Sequence, residues 1–332
     1  MQKEAYIQAS TRVRMAEKDL LTHEQLLRMA EADSIESLNR LLSETSYQQE
    51  VSKLDNPEDY EQMLANELKK TYNFLYEISP DPRLVDLFTG RYVYHNMKVL
   101  AKEIIMEKDM GNLYIPFGDL PIDDMKKAAE AGTLRRVERY GEELSSILKD
   151  YEDHKQAARI DVLADQFYAK RLIDTADALD LPIAKNYAME TVDLYNVMIL
   201  LRARNLNLTS EEFERIALTG GNIYLPEVVG SYYENQEQII GRMYSMPLGT
   251  ALRTGLSKYE QTKTLSAFEK TGEDHFIELA KQTKLVSYGP EVLVSYLIAK
   301  ENEIKNLRIL YVSIRNGIPR DKIKERLRNT YA

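Results

Sequence analysis

Three asparagines recur at domain-sized intervals inside long, mainly apolar helical segments. Asn96 lies in HNMKVL, Asn196 in YNVMIL and Asn306 in KNLRIL, so the intervals are 100 and 110 residues. Such a period matches a small domain and exceeds the roughly 20 to 50 residues of familiar solenoid repeats. The repetition predicts three homologous helical units, residues 1–111, 112–221 and 222–332, with packing of the terminal helices across units left open.

A hexapeptide is also repeated, as GNLYIP from Gly111 to Pro116 and as GNIYLP from Gly221 to Pro226. Its counterpart in the third unit is SIRNGIP, from Ser313 to Pro319. Glycine and asparagine tolerate the left-handed conformation that ends many helices, and proline favours the start of the next element. We therefore interpret these segments as helix-ending hinges between repeated units.

Three further passages, Leu20 to Leu42, Leu120 to Leu144 and Leu225 to Leu248, each have the pattern of a short helix, a kink and a second helix. Thr22 with Gln25 predicts a capping box at the first of these helices. Between the repeated landmarks, Leu64, Leu68, Tyr72 and Leu75 follow the spacing of one helical face.

The composition favours helix over sheet. The 332 residues include only 14 glycines and 10 prolines, and leucine, glutamate, lysine, alanine and methionine, which favour helices, are plentiful. We therefore predict an all-α fold. Three copies of a domain-sized unit placed round an axis would give a pseudo-threefold arrangement.

Charge and hydropathy exclude several classes of partner. The net charge of −9 opposes binding to nucleic acid and to anionic lipid head groups. No apolar run approaches the roughly 18 to 20 residues of a membrane-spanning helix, and the N-terminus carries no apolar signal segment. We therefore expect a cytoplasmic protein without direct insertion into the bilayer.

No motif for catalysis, cofactor binding or metal binding is found in the sequence. It contains no GxxxxGK[ST], and no GxGxxG follows a strand pattern. The four histidines form neither HExxH nor a di-iron Glu-x-x-His pair. We therefore predict no catalytic, cofactor-binding or metal-binding residue. For Asn96, Asn196 and Asn306 we favour a structural role, each amide bridging helices within its own unit, over lining a shared axis that holds a partner.

The segment from Tyr6 to Tyr47 resembles the start of a known family, the C subunits of V-type and A-type ATPases (ATP synthases), whose eukaryotic V-ATPase members are called d subunits. The resemblance is carried by Tyr6, Arg12, Arg14, the Leu20-Leu21 pair, and Thr45 with Tyr47. The length of the chain and its triple repeat agree with the three homologous helical domains of that family.

The resemblance implies a funnel-like, non-catalytic rotor adaptor without cofactors. Such an adaptor receives the central-shaft subunits and sits on the cytoplasmic face of the membrane rotor ring, coupling ATP hydrolysis or synthesis to H⁺ or Na⁺ transport. Arg12 and Arg14 are interface candidates, with ordinary helix salt bridges as the alternative.

The alternative function is a soluble helical scaffold or regulator that binds a partner protein in a concave surface. Copurification separates the two, because a rotor subunit brings a shaft subunit and a proteolipid ring with it.

Overall fold

The computed structural model describes residues 3–235, 238–239, 241 and 248–332. All regular secondary structure in these residues is helical, which confirms the predicted all-α class. The α-helices, numbered in chain order, are α1 Ile7–Ala16, α2 His23–Met29, α3 Ile35–Leu42, α4 Gln48–Val51, α5 Tyr60–Ile78, α6 Arg83–Met106, α7 Ile122–Glu130, α8 Gly141–His154, α9 Ala157–Leu179, α10 Pro182–Asn205, α11 Ser210–Ile216, α12 Leu225–Gly230, α13 Gly249–Thr262, α14 Leu265–Gln282, α15 Pro290–Arg315 and α16 Arg320–Arg326.

The chain divides into two compact units. The first combines Met1–Val85 with Glu234–Ala332, and the second is Asp86–Tyr233. The division into three homologous domains with pseudo-threefold symmetry stays a prediction. The second half of the third helix–kink–helix passage, at 236–237, 240 and 242–247, lies outside the described residues.

The first unit is built on α15, which packs against α1, α2, α3, α5, α14 and α16. Fully buried apolar side chains along α15 form its centre, namely Val292, Leu293, Leu297, Leu307 and Leu310. The face predicted on α5 is buried as expected, with Leu64, Leu68, Tyr72 and Leu75 at most 5% exposed. Because α15 is buried on several sides, it has no single polar face.

In the second unit, α6, α8 and α9 enclose an apolar core that includes Met97, Leu100, Leu144, Ile147 and Ala164. Two-residue connections join α8 to α9 and α9 to α10. The connections turn at Lys155 and Asp180, whose φ angles are 57° and 50°. Long helices thus follow one another as tight hairpins without glycine at the turn.

Local signals in the sequence explain several helix starts. At α2 the backbone N–H of Gln25 donates to the Thr22 hydroxyl over 3.2 Å, and the Thr22 N–H donates to Gln25 Oε1 over 2.8 Å, which confirms the predicted capping box. Thr209 and Glu212 form a second box at α11. No helix in the described part of the chain is long and apolar enough to cross a membrane.

Candidate functional site

Two of the repeated asparagines bind the backbone of a single residue further along the second unit. Asn96 Nδ2 donates to Ile115 O over 2.8 Å, and Ile115 N donates to Asn96 Oδ1 over 2.8 Å. Asn196 makes the same pair with Leu218, at 2.9 and 2.8 Å. A primary amide suits this contact because it presents a donor and an acceptor side by side. Each long helix thereby holds one residue of the segment that follows it.

The third asparagine repeats the contact in the first unit. Asn306 Nδ2 donates to Arg328 O over 3.3 Å, and Arg328 N donates to Asn306 Oδ1 over 2.8 Å. Both Arg328 and Leu218 lie 22 residues after their asparagine, whereas Ile115 lies 19 residues after Asn96. We call these three paired hydrogen bonds the asparagine clamps. The structure thus places the repeated asparagines in intramolecular helix–loop contacts.

The two hexapeptides do not occupy equivalent places, which corrects the hinge interpretation. In GNLYIP the clamp binds Ile115, the fifth residue. The other clamp of the second unit binds Leu218, which precedes GNIYLP. GNIYLP lies further along the chain because an additional short helix, α11, separates it from α10. Neither copy ends the long helix, since α6 ends at Met106 and α10 at Asn205.

The counterpart of SIRNGIP is therefore the segment directly after α10. Asn207 and Gly317 stand at the same distance along the chain from their asparagines, with φ angles of 53° and 63°. Leu208 N donates to Ala203 O, and Ile318 N donates to Ser313 O, each over 3.0 Å. The short helices α11 and α16 then occupy matching positions along the chain from their asparagines.

The GNIYLP loop is held by a buried carboxylate, that of Asp193 on α10. The Asp193 side chain accepts hydrogen bonds from Asn222 N over 3.0 Å, from Asn222 Nδ2 over 2.8 Å and from Ile223 N over 3.1 Å. Burial raises the pKa of Asp193, and the donors of the loop oppose that shift. A Cβ atom at Gly221 would overlap Asp193 Oδ1. Glycine is therefore required where this loop meets α10.

A buried ionic cluster lies at the centre of the first unit. Lys300 Nζ is 2.8 Å from Glu303 Oε1 and 2.9 Å from Glu67 Oε1, and it sits 4.6 Å from the centre of the Tyr47 ring. Glu303 also accepts from the Tyr47 hydroxyl over 2.7 Å and from Leu21 N over 2.5 Å. The cluster thus joins α15 to residues near the N-terminus.

The charges of this cluster stabilise one another. Lys300 is 3% and Glu303 5% exposed. Burial opposes the charge on Lys300, but attraction by the carboxylates of Glu303 and Glu67 outweighs it and raises the lysine pKa well above its ordinary value. Burial and the neighbouring Glu303 likewise raise the pKa of Tyr47 well above that of a free phenol. The cluster is therefore an ion pair in which the tyrosine stays neutral.

Arg14 is a structural residue in this fold. Its Nη1 contacts Glu17 at 2.7 Å and the Tyr331 hydroxyl at 3.2 Å. Its Nη2 donates to the carbonyls of Thr283 and Val286 over 2.7 and 2.8 Å. Arg14 therefore joins α1, the turn before α15 and the C-terminal segment within the first unit.

Arg12 lies on the surface, by contrast. Its Nη1 pairs with Glu77 Oε1 over 2.9 Å, with the two side chains 50% and 67% exposed. Its guanidinium also lies 5.1 Å from the centre of the Phe74 ring. Arg12 thus forms an exposed ion pair with Glu77 that links α1 to α5.

Asp193, Lys300 and Glu303 were missed by reasoning from the sequence. Their signal is a set of charged residues inside otherwise apolar helical segments, AMETVDLYN and LIAKENEIKN. Within the described residues, no group of histidines, aspartates and glutamates is arranged to hold a metal ion. The arrangement of these side chains holds helices and loops together.

Comparison with known proteins gives one consistent family. The profile of the ATP synthase (C/AC39) subunit family matches residues 9–326. The chain is 27% identical to the C subunit of the V-type sodium ATPase of Enterococcus hirae, over 98% of this chain and 99% of that protein. It is 25% identical to the C subunit of the A-type ATP synthase of Methanocaldococcus jannaschii, over 92% of this chain and 82% of the relative. The corresponding A-type ATP synthase protein of Methanosphaera stadtmanae is 26% identical over 97% and 87% of the two chains. The chain therefore belongs to the ATP synthase (C/AC39) subunit family.

Proposed function

We propose that this chain is a non-catalytic rotor adaptor of a V/A-type rotary ATPase. It joins the central shaft to the cytoplasmic face of the membrane rotor ring and so couples ATP hydrolysis or synthesis to H⁺ or Na⁺ transport. The observation that carries this proposal is the family match across residues 9–326, together with relatives named as C subunits of a sodium ATPase and of ATP synthases.

The internal contacts supply the stiffness that such a role requires. An adaptor that transmits torque must resist bending under load, so its loops and helices must keep their relative positions. The asparagine clamps fix three loops to long helices, and the Lys300 cluster fixes α15 to α5 and to the N-terminal region. Close-packed interiors have low compressibility and transmit strain.

The proposed partners are the shaft subunits at one end and the membrane ring at the other. The chain would be a peripheral component on the cytoplasmic side, held by protein contacts. Such contacts depend on shape and on charge complementarity. The ion-binding and nucleotide-binding chemistry would then reside in other subunits.

Copurification from membranes tests this proposal. An affinity-tagged chain, expressed from its own locus and isolated from detergent-solubilised membranes, should bring a shaft subunit and the proteolipid of the ring. A matched preparation from a strain without the ring should retain the shaft subunit and lose the proteolipid. Recovery of the tagged chain with soluble proteins alone, in both strains, would contradict the adaptor role.

A further inference from the structure

A groove of about 430 Å³ opens on the second unit between the end of α7 and one face of α8. Its third wall is the 3₁₀ turn Leu134–Arg136. The α8 residues that line it run from Ser145 to Glu152 at helical spacing, so the groove follows α8 for about two turns, or roughly 10 Å. We call it the α7–α8 groove.

The rim of the α7–α8 groove carries uncompensated positive charge. Arg135, Arg136 and Lys149 line it and are exposed, and none of the three makes an ion pair with any described residue. Glu152 is the single acidic residue of the lining. Several other cations of the unit are paired, as Arg159 is with a carboxylate at 2.6 Å and Lys102 with one at 2.8 Å. In a chain of net charge −9, this rim is a local site of attraction for carboxylates.

The floor of the groove is apolar and recessed. Leu134 is 8% exposed, and Ala129 and Leu148 are partly buried. Apolar side chains below a charged rim give the usual anatomy of a protein docking site, with an apolar centre and a polar edge. The length of the groove suits a helical or extended segment that places one or two apolar side chains inward.

We propose that the α7–α8 groove docks an acidic, amphipathic segment of a partner protein. Carboxylates of that segment face Arg135, Arg136 and Lys149, and its apolar side chains contact Leu134 and Leu148. The proposal rests on the groove and its charge, so it does not depend on the adaptor role.

Two features favour a protein segment over an anionic membrane surface. The apolar residues of the groove are recessed. Within the described residues, the large apolar side chains that are exposed lie outside the groove. Three surface cations contribute only about 1 kcal/mol each at an anionic bilayer, and stable attachment needs a second, inserting element. A concave site with an apolar floor instead fits a protein ridge.

Fluorescence anisotropy with synthetic peptides and the purified full-length chain tests the proposal. The probe is a labelled Glu/Leu amphipathic peptide about four helical turns long. It should bind at least about tenfold more tightly than a Lys/Leu peptide of the same pattern or a Glu/Ser peptide that lacks apolar residues. Binding should weaken as salt is added, because the attraction to the rim is screened.

Matched variants locate the binding. Arg135→Gln with Arg136→Gln should weaken binding of the Glu/Leu peptide by about tenfold, and Lys149→Gln alone should weaken it by a smaller factor. Arg40→Gln with Lys108→Gln, two exposed cations outside the groove, makes the same change in net charge and should leave binding unchanged. Circular dichroism checks that each variant is folded.

Three results would overturn the proposal. The first is no binding of the Glu/Leu peptide, and the second is equal weakening by the groove and control variants. In the third, the protein binds vesicles of phosphatidylglycerol and phosphatidylcholine through Arg135 and Arg136 but does not bind the Glu/Leu peptide. That result would assign the groove to a lipid surface.

Discussion

Replacing Asn196 by alanine removes one asparagine clamp without adding a charge or a bulky group. Asn196 is 1% and Leu218 4% exposed, so the N–H and C=O of Leu218 would lose their partners in a buried place. Each buried group left unsatisfied costs about 1–3 kcal/mol, and the better helix propensity of alanine returns at most about 0.7 kcal/mol. Two such groups together cost about 2–6 kcal/mol, so after the gain in helix propensity the net local loss should be about 1–5 kcal/mol.

Hydrogen exchange measured by mass spectrometry reads this loss directly. Since about 1.4 kcal/mol corresponds to a factor of ten, amides of the peptide from Phe213 to Gly220 should exchange roughly 5- to 4000-fold faster in Asn196→Ala if they exchange by local opening. The matched control is Asn316→Ala, because the amide of Asn316 donates to Val312 O over 2.7 Å at an exposed helix end.

The control should change local stability by less than about 0.5 kcal/mol. If Asn196→Ala leaves exchange near Leu218 within about threefold of the wild type, the clamp contributes nothing measurable, and the reasoning from buried hydrogen bonds is refuted.

Three further predictions concern the Gly221–Asp193 contact, the pKa of Asp193 and the hydrogen bonds of Arg14. Gly221→Ala should lower the free energy of unfolding, measured in urea, by about 1–3 kcal/mol, because the added Cβ displaces Asp193. The control Gly230→Ala should not lower it, since nothing lies within 4 Å of the new Cβ. Equal effects of the two substitutions would contradict the close approach of Gly221 to Asp193. The pKa of Asp193 is raised in the folded state, so the folded protein binds a proton at this carboxylate more readily than the unfolded chain does. The contribution of Asp193 to stability should therefore rise as pH falls from the raised pKa towards the ordinary value of 3.8. Urea titrations at several pH values should show this rise in the wild type and lose it in Asp193→Asn; an identical pH dependence in both would exclude the assignment. Arg14→Gln should destabilise by about 1–3 kcal/mol through lost charged hydrogen bonds, whereas Arg12→Gln should cost less than about 0.5 kcal/mol; thermal melts giving equal losses would show that burial does not separate them.

Reasoning from the sequence predicted the helical class and the equivalence of the three asparagines. Composition and helical spacing report on the local backbone, and a polar residue at the same place in three apolar helices marks a common contact. The bonding partners of the asparagines were not predictable in the same way. Ile115 and Leu218 are aliphatic whereas Arg328 is charged, and no side-chain type common to all three marks the partners, because the clamp binds their backbone atoms.

The repeated hexapeptide shows why a short match can mislead. The letters GNLYIP and GNIYLP agree, but a clamp binds Ile115 in the first copy and Asp193 binds Asn222 in the second. The short helix α11 moves the second copy further along the chain from its asparagine. Six residues specify a turn propensity, whereas the place of that turn depends on the elements inserted before it.

The buried cluster around Lys300 depends on contacts that are remote in sequence. Glu303 binds Tyr47 across 256 residues and Leu21 across 282 residues. Within α15, Lys300 and Glu303 have the spacing of an ordinary surface ion pair, and burial by other helices makes them part of the core. Charged residues within the sequence of α15 therefore hint at a buried polar site, but they do not identify its partners Tyr47 and Leu21.

Reconstitution of the rotary ATPase with and without this chain tests the proposed adaptor role most directly. Catalytic head, shaft and membrane sector are assembled in vesicles, and the rates of ATP hydrolysis and of ion uptake are measured separately in the same preparation. The adaptor role predicts that omission of the chain leaves ATP hydrolysis by the head active and stops ATP-driven ion uptake, with uptake restored when the purified chain is added back. Undiminished ion uptake in vesicles that lack the chain would contradict it.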